Sequence, residues 1–370
     1  MGPLRGGPRV SLPLFVPGRL CLLGEHSDWA AGYRVTHPEI APGGCLVSGT
    51  DQGLRAVAAP IAGALEIETT LPHGEEIGPA RLGAEPEELG RAASGADFFS
   101  YVAGVAAEVV TQHGVGGLRI RIESDLPVRK GLSSSAAVCV LVARAFSQAY
   151  GLGLTVDEEM DLAYRGERRT GSECGRMDQI CAFGRRVTAV DFDGDGLLAE
   201  AVEPGGVFHL LVVDLRRGKD TRRILSDLNA CFPDVPGALA ARVREALGPR
   251  NQQLLAKARR ALEKGDPAAL GTAMSEAQEL FDSHVSPASQ ELRSPRLHEI
   301  LGHPAVAELG HGAKGVGSQG DGCAQVVTRS AEARQELAAR LERDEGVHGY
   351  PLTIEPAVAG ASSGNAGGDL

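Results

Sequence analysis

Two domains of mixed strand and helix, an α+β architecture, follow from three features of these 370 residues. The length is that of about two ordinary domains. Strand-like and helix-like runs follow one another without the regular βαβ rhythm of a doubly wound sheet. The apolar run FHLLVVDL at residues 208–215 reads as a buried strand, and it opens a second half whose residues 221–280 carry long helical patterns of Ala, Leu, Arg and Glu. We therefore expect one domain over residues 1–205, a second over 206–360, and a disordered Gly- and Ser-rich tail at 361–370.

Composition narrows the function. A net charge of −11 argues against nucleic-acid binding, which needs a basic face. Apolar stretches such as VCVLVA are far shorter than the roughly 20 residues of a membrane-spanning helix. Residues 1–10 lack the apolar core of a signal peptide. A cytoplasmic protein with no membrane partner is expected. The seven cysteines are odd in number and show no CxxC pairing, so buried free thiols are expected rather than disulfides or zinc ligands.

Along the chain, Leu20 to Leu23 form a strand-like run that stops at Gly24, Glu25, His26, Ser27 and Asp28. Such a cluster usually marks a solvated turn, yet two carboxylates and an imidazole within four residues also suit a polyhydroxylated ligand. Leu118, Ile120 and Ile122 alternate with Arg119, Arg121 and Glu123, a half-buried strand that Pro127 ends. Next, LPVRKGLSSSAAVCVLVARA at 126–145 puts Gly131, Ser133, Ser134 and Ser135 directly before an apolar helix. The unpaired N–H groups and positive dipole end of that first turn favour phosphate, and Ala136 and Ala137 leave room for it. A plain Ser-capped helix would read the same way.

Further on, within LAYRGERRTGSECGRMDQICAFG at 162–184, Glu167 closes a helical stretch and Asp178 follows a Gly-containing loop. Pro233, Pro236, Pro249 and Pro267 interrupt the helical patterns of the second half. GAKGVGSQGDGCAQVV at 312–327 is a glycine-rich loop before a short apolar strand, which lets backbone approach a ligand. Gly315, Gly317 and Gly320 satisfy GxGxxG, but a dinucleotide fingerprint opens a helix inside a βαβ unit, and a strand pattern follows here. The Walker A pattern is absent, so a nucleotide would be held by the serine-rich loop.

Taken in order, PGRLCLLGEHSD, LPVRKGLSSSAA, GERRTGSECGRMDQ and GAKGVGSQGDGC resemble the motifs of the GHMP kinases, the superfamily of galactokinase, homoserine kinase, mevalonate kinase and phosphomevalonate kinase. GEHSD stands where the galactokinases, a sugar-1-kinase branch, have their sugar-binding Glu-His-x-Asp segment. The resemblance implies an N-terminal domain like ribosomal protein S5 domain 2, a ferredoxin-like C-terminal domain, and a site between them using ATP and Mg²⁺. It implies that Lys130, Gly131, Leu132, Ser133, Ser134, Ser135 and Ala136, with Gly315 and Gly317, hold ATP. Ser135 and Glu167 would be the Mg²⁺ ligands, Asp178 the catalytic proton acceptor with Arg19 beside it, and Glu25, His26 and Asp28 the sugar-binding residues. Otherwise a Glu in GERR serves as an exposed i,i+4 partner, and Asp178 as a helix N-cap.

After Asp28 the chain departs from the galactokinases, with Trp29 and then GYRVTHPEIAPGG containing Arg34 and His37, which leaves the sugar open. Arg34 suits either an anionic group such as a uronic acid or a plain surface position, and Trp29 either a sugar face or the core. The expected activity is ATP-dependent phosphorylation of the anomeric hydroxyl of a monosaccharide or sugar derivative by a monomer or homodimer. The alternatives are a mevalonate- or homoserine-type kinase and a non-catalytic sugar and ATP sensor. Retention of Arg19, Glu167 and Asp178 argues against the sensor.

Overall fold

This computed structural model describes residues 13–357 apart from 96 and 129; the N-terminal decapeptide and the 361–370 tail lie outside the described residues. Strands β1 (Leu14–Leu23) and β2 (Gly43–Ile61) pair antiparallel along most of their length. With β3 (Ala64–Thr70), β4 (Glu76–Gly83), β5 (Gly117–Ser124), β6 (Val187–Asp193) and β7 (Gly196–Val202) they make a seven-stranded sheet ordered β4-β3-β5-β2-β6-β7, with β1 on β2. The two halves of β2 serve different neighbours, Gly43–Ser48 pairing with β6 and Leu54–Ile61 with β5. On β5, Leu118, Ile120 and Ile122 are buried while Arg119 and Arg121 point to solvent and reach Glu66 and Glu68 of β3 at 2.6 and 2.8 Å. The period-2 pattern thus sorts apolar side chains to the core and charge to the wet face.

Helices α1 (Ser27–Gly32), α2 (Pro86–Ala93), α3 (Phe98–His113), α4 (Ser134–Tyr150) and α5 (Val156–Arg168) belong to this half. α4 packs on β1 and β2 and against both α3 and α5, which also meet each other, and it is buried without interruption from Ala136 to Ser147, as a helix apolar all round must be. Its one buried cation, Arg144, meets Glu159 of α5 at 2.8 Å and donates to the Ala182 carbonyl at 2.8 Å, tying both helices to the 3-10 turn Asp178–Phe183. α5 starts with a reciprocal cap between Thr155 and Glu158, a device worth about 1 kcal/mol.

The second half contains β8 (Phe208–Asp214), α6 (Thr221–Asn229), α7 (Ala238–Glu245), α8 (Asn251–Lys264), α9 (Pro267–His284), α10 (Pro295–Leu301), α11 (Pro304–Leu309), β9 (Gly310–Gly315), β10 (Cys323–Thr328), α12 (Ala331–Glu345) and β11 (His348–Ile354). Its antiparallel sheet is ordered β11-β8-β10-β9, the ferredoxin-like arrangement of fourth, first, third and second strands. The fold is thus α+β with two sheets. Two prolines act differently from the interruptions expected of them. Pro249 sits in a π-helical turn that joins α7 to α8, and Pro267 occupies the first turn of α9 after the Asp266 cap, where its missing N–H costs nothing. α8 packs on β2 and α9 on β9, so one apolar core runs continuously beneath both sheets. All seven cysteines are free, six buried and Cys174 partly so. Among the described residues no helix is long and apolar enough to cross a membrane.

Candidate active site

The serine loop, the end of β1, the Asp178 turn and the glycine loop meet at the N-terminus of α4. Two positive backbone angles shape the serine loop, Gly131 at φ 72° and Ser133 at φ 54°, and the Leu132 carbonyl accepts the Arg19 N–H at 3.0 Å. Ser133 occupies the N-cap position yet caps nothing; its hydroxyl donates instead to Asp178 Oδ1 at 2.7 Å, an oxygen that also accepts from Arg19 Nη2. Ser134 opens the helix, and buried Ala136 presents only a methyl group. Among the described residues no side chain caps the first-turn amides of α4. Ser135 donates to Glu167 Oε1 and Gln179 to Glu167 Oε2, each at 2.8 Å.

Electrostatics at this point are dominated by clustered acids. Glu167 is 2 % exposed, and burial, then the neighbouring Asp178, push its carboxyl up to about 7. Burial and Asp178 also raise Asp28. Burial pulls Arg19 down, but the Asp178 carboxylate opposite holds it above its usual range. Glu167 is therefore not the exposed helix partner that GERR allows, and Asp178 accepts from side chains rather than capping a helix. Ser135 and Glu167 fit Mg²⁺: both offer hard oxygens, and a dication would relieve a buried carboxyl crowded by a second one. Two protein ligands suit an ion that takes its remaining oxygens from phosphates and water.

The glycine loop joins the antiparallel strands β9 and β10, which excludes the dinucleotide reading of its GxGxxG pattern. Gly317, at φ 65°, lies against Gly131: a Cβ on Gly317 would stand 3.4 Å from the Gly131 Cα, and one on Gly131 would stand 3.2 Å from Val316. Glycine loop and serine loop thus touch backbone to backbone, one from each half of the chain. The Gly315 N–H is held by Gln278 Oε1 at 2.7 Å. Lys219 binds the loop from behind, donating to the carbonyls of Val316 and Gln319 at 3.2 and 2.7 Å. Lys130 turns to Asp214 at the end of β8, 2.8 Å away, and forms a further bridge between the halves.

The GEHSD turn approaches from the other side. His26, at φ 67°, is buried; its Nδ1 accepts from Trp29 Nε1 at 3.1 Å, and its Nε2 faces the Ser318 backbone without a hydrogen bond of good geometry. Burial lowers its pKa to about 4, so the ring is neutral near pH 7 with its proton on Nε2. Asp28 Oδ2 accepts the Met177 N–H at 3.3 Å. Glu25 is not open to a ligand in the way its motif implies, because Lys314 Nζ donates to its Oε1 and both side chains are buried. Trp29 belongs to the core, edge-on to Phe232 at 5.3 Å. Arg34 is engaged by Asp193 at 2.5 Å and by the carbonyls of Pro38 and Ile40, which removes it as an anion site.

The candidate catalytic, ATP-binding, metal-binding and sugar-binding residues named from the sequence therefore gather at this junction, whereas Arg34 lies off it and Trp29 reaches it only through His26. Residues missed are Lys219, Gln179, Gln278 and Asp214, and the pairing role of Lys314. Lys314 carries a signal, a cation embedded among glycines before an apolar strand. Lys219, in the polar run RRGKD, carries none.

Residues 100–185 match the family model described as the GHMP kinases N terminal domain. A galactokinase of Roseiflexus sp. (strain RS-1) is 28 % identical over 296 residues, 70 % of each chain. Against other curated galactokinases it matches, the chain spans about half their length. Among solved structures, a Lactococcus lactis galactokinase complexed with galactose superposes with a TM-score of 0.70 at 18 % identity, covering 94 % of both chains. A mevalonate kinase of L. major in complex with R-mevalonate superposes with a TM-score of 0.69 at 20 % identity, covering 96 % of this chain and 97 % of that one.

Proposed function

We propose that this chain, a GHMP kinase by its N-terminal domain at residues 100–185 and by its fold, transfers the γ-phosphate of ATP to the anomeric hydroxyl of a monosaccharide or sugar derivative. The observation that carries this reading is the position of Asp178, bonded to Arg19 and Ser133 at the uncapped N-terminus of α4, with the Ser135–Glu167 pair behind it. A sugar acceptor draws support from the galactokinase relatives and from the His26–Asp28 turn beside Asp178.

In the proposed mechanism the first-turn amides of α4 and the Gly317 backbone cradle the phosphates of ATP, with Gly315 fixed by Gln278 and leaving room for their approach, and the touching loops exclude water. Ser135 and Glu167 would hold Mg²⁺, which when bound would neutralise phosphate charge. Asp178 accepts the proton of the attacking hydroxyl, or orients it, through the oxygen not engaged by Arg19 and Ser133. Arg19 offsets negative charge at the point of transfer. His26 and Asp28 orient the acceptor, while Glu25 contributes through Lys314, shaping the pocket from within. We take residues 1–205 and 206–360 as the two domains; their sheets part between Val202 and Phe208.

The test is an ADP-release screen over monosaccharides, amino sugars, uronic acids, mevalonate and homoserine with MgATP. Turnover on a sugar supports the proposal, and turnover on mevalonate or homoserine alone replaces it with the other branch of the family. Calorimetric binding of sugar and ATP without ADP release would make the chain a sensor.

A further inference from the structure

Among the described residues four cationic side chains stand around the site, and three are neutralised: Arg19 by Asp178, Lys130 by Asp214 and Lys314 by Glu25. Lys219 is different. Among the described residues no carboxylate comes within ion-pair reach of it, and its Nζ rests on the carbonyls of Val316 and Gln319. Those bonds use two of the three ammonium protons and leave the charge uncompensated. Burial already pulls Lys219 down to about 8, with Glu25, an acid committed to Lys314, acting the other way. The loop turn that Lys219 holds from residues 316 and 319 is the same turn that His26 faces at Ser318, and the Lys219 charge is close enough to disfavour a proton on His26. His26 is 4 % exposed, and its Nε2 is buried with only the Ser318 backbone in reach, at poor hydrogen-bond geometry.

A half-buried cation with a spare proton and no carboxylate in reach therefore shares one turn with a buried imidazole N–H that the Ser318 backbone meets only at poor geometry. A buried donor is seldom left poorly paired, and one that shares its turn with an uncompensated ammonium is satisfied together with it by an anion and poorly by a hydroxyl. We propose that Lys219 Nζ and His26 Nε2 bind an oxyanion, a carboxylate or phosphate oxygen, carried by the acceptor. The anion-recognition role that Arg34 cannot fill thus passes to a lysine 185 positions further along. Naming the source as the acceptor rests on the kinase reading above; the γ-phosphate of the nucleotide is the other source of the same chemistry.

Inorganic phosphate is the probe, titrated calorimetrically into the full chain alone, in its MgADP complex and in its MgAMPPNP complex, for wild type, K219M, K219R and H26N. We expect phosphate to bind in all three states of the wild type, at least tenfold weaker in K219M and H26N, and within about threefold of wild type in K219R. Phosphate that binds the MgADP complex but is excluded by MgAMPPNP would put the anion at the γ-phosphate position and overturn the acceptor assignment. Affinity unchanged in both K219M and H26N, or no phosphate binding by the wild type, would overturn the site. Should K219M fail to fold, H26N reads the same corner from its other wall. Failure of the nucleotide to bind would count against the kinase reading alone, since the titration of the free chain stands without it.

Discussion

Ser133 gives its hydroxyl to Asp178 across 2.7 Å rather than to its own helix, so the residue at the cap of α4 orients the acid that faces the phosphate cradle. Arg19 donates to the same carboxylate oxygen, which leaves the other one to meet a ligand. Replacing Asp178 with Asn keeps the shape and removes the proton acceptor. We expect kcat to fall by roughly 10² to 10⁴ while ATP affinity changes little. Ser133→Ala, which removes one of the two donors, should cost on the order of tenfold in kcat. Steady-state kinetics beside calorimetric ATP titration checks both, and a near-wild-type kcat for D178N with chemistry rate-limiting would remove Asp178 from the mechanism.

The buried Glu25–Lys314 pair makes Glu25 a stability residue before it is a ligand. Glu25→Gln strands a buried ammonium and should destabilise the fold by about 3 to 5 kcal/mol, the usual cost of breaking such a pair from one side. The double change Glu25→Leu with Lys314→Met should recover most of that loss, because it removes both charges. Urea unfolding of the two variants beside wild type measures this; an E25Q protein as stable as wild type would show the pair to be idle.

Gly131 and Gly317 are each at positive φ where the two loops touch. Valine at either position combines a strained backbone, about 1 to 3 kcal/mol for a β-branched side chain, with a group wedged into the contact. We expect G131V and G317V to weaken ATP binding at least tenfold, and G131A to be milder, since a lone methyl, nearest Val316 Cγ1 at 3.2 Å, adds no branched group to the contact. Calorimetric titration with MgATP decides.

His26 carries a pH signature. Burial lowers its pKa from 6.5 to about 4, so between those values the unfolded chain binds a proton that the folded chain refuses. Stability conferred by the neutral ring is complete above about pH 6.5 and is lost as pH falls towards 4, reaching about 3 kcal/mol at 1.36 kcal/mol per unit. Urea unfolding at several pH values should show wild type losing that much more than H26N over this interval. Parallel curves for the two proteins would mean that the imidazole is protonated in the native state.

The chemical types at the site were legible in the order of residues because each depends on near neighbours. Serines before an apolar run make an anion-binding helix start, glycines permit close backbone approach, and period-2 alternation marks β5 whatever lies elsewhere. The α+β class follows from the same local patterns. Which charges are free does not, because it depends on distances that sequence separation hides. Arg19 meets Asp178 from 159 residues away, Lys130 meets Asp214 from 84, and Lys314 takes Glu25 from 289. Burial is equally non-local: Glu167 reads as an ordinary surface partner in GERR, and only the packing of α5 against α3 and α4 encloses it. Lys219 sits in a run of polar residues, and its importance arises once β8 carries it behind a glycine loop nearly a hundred positions later in the chain. Local sequence sets what a side chain can do, whereas the folded arrangement, by pairing and desolvating charges, selects which side chains are left to do it.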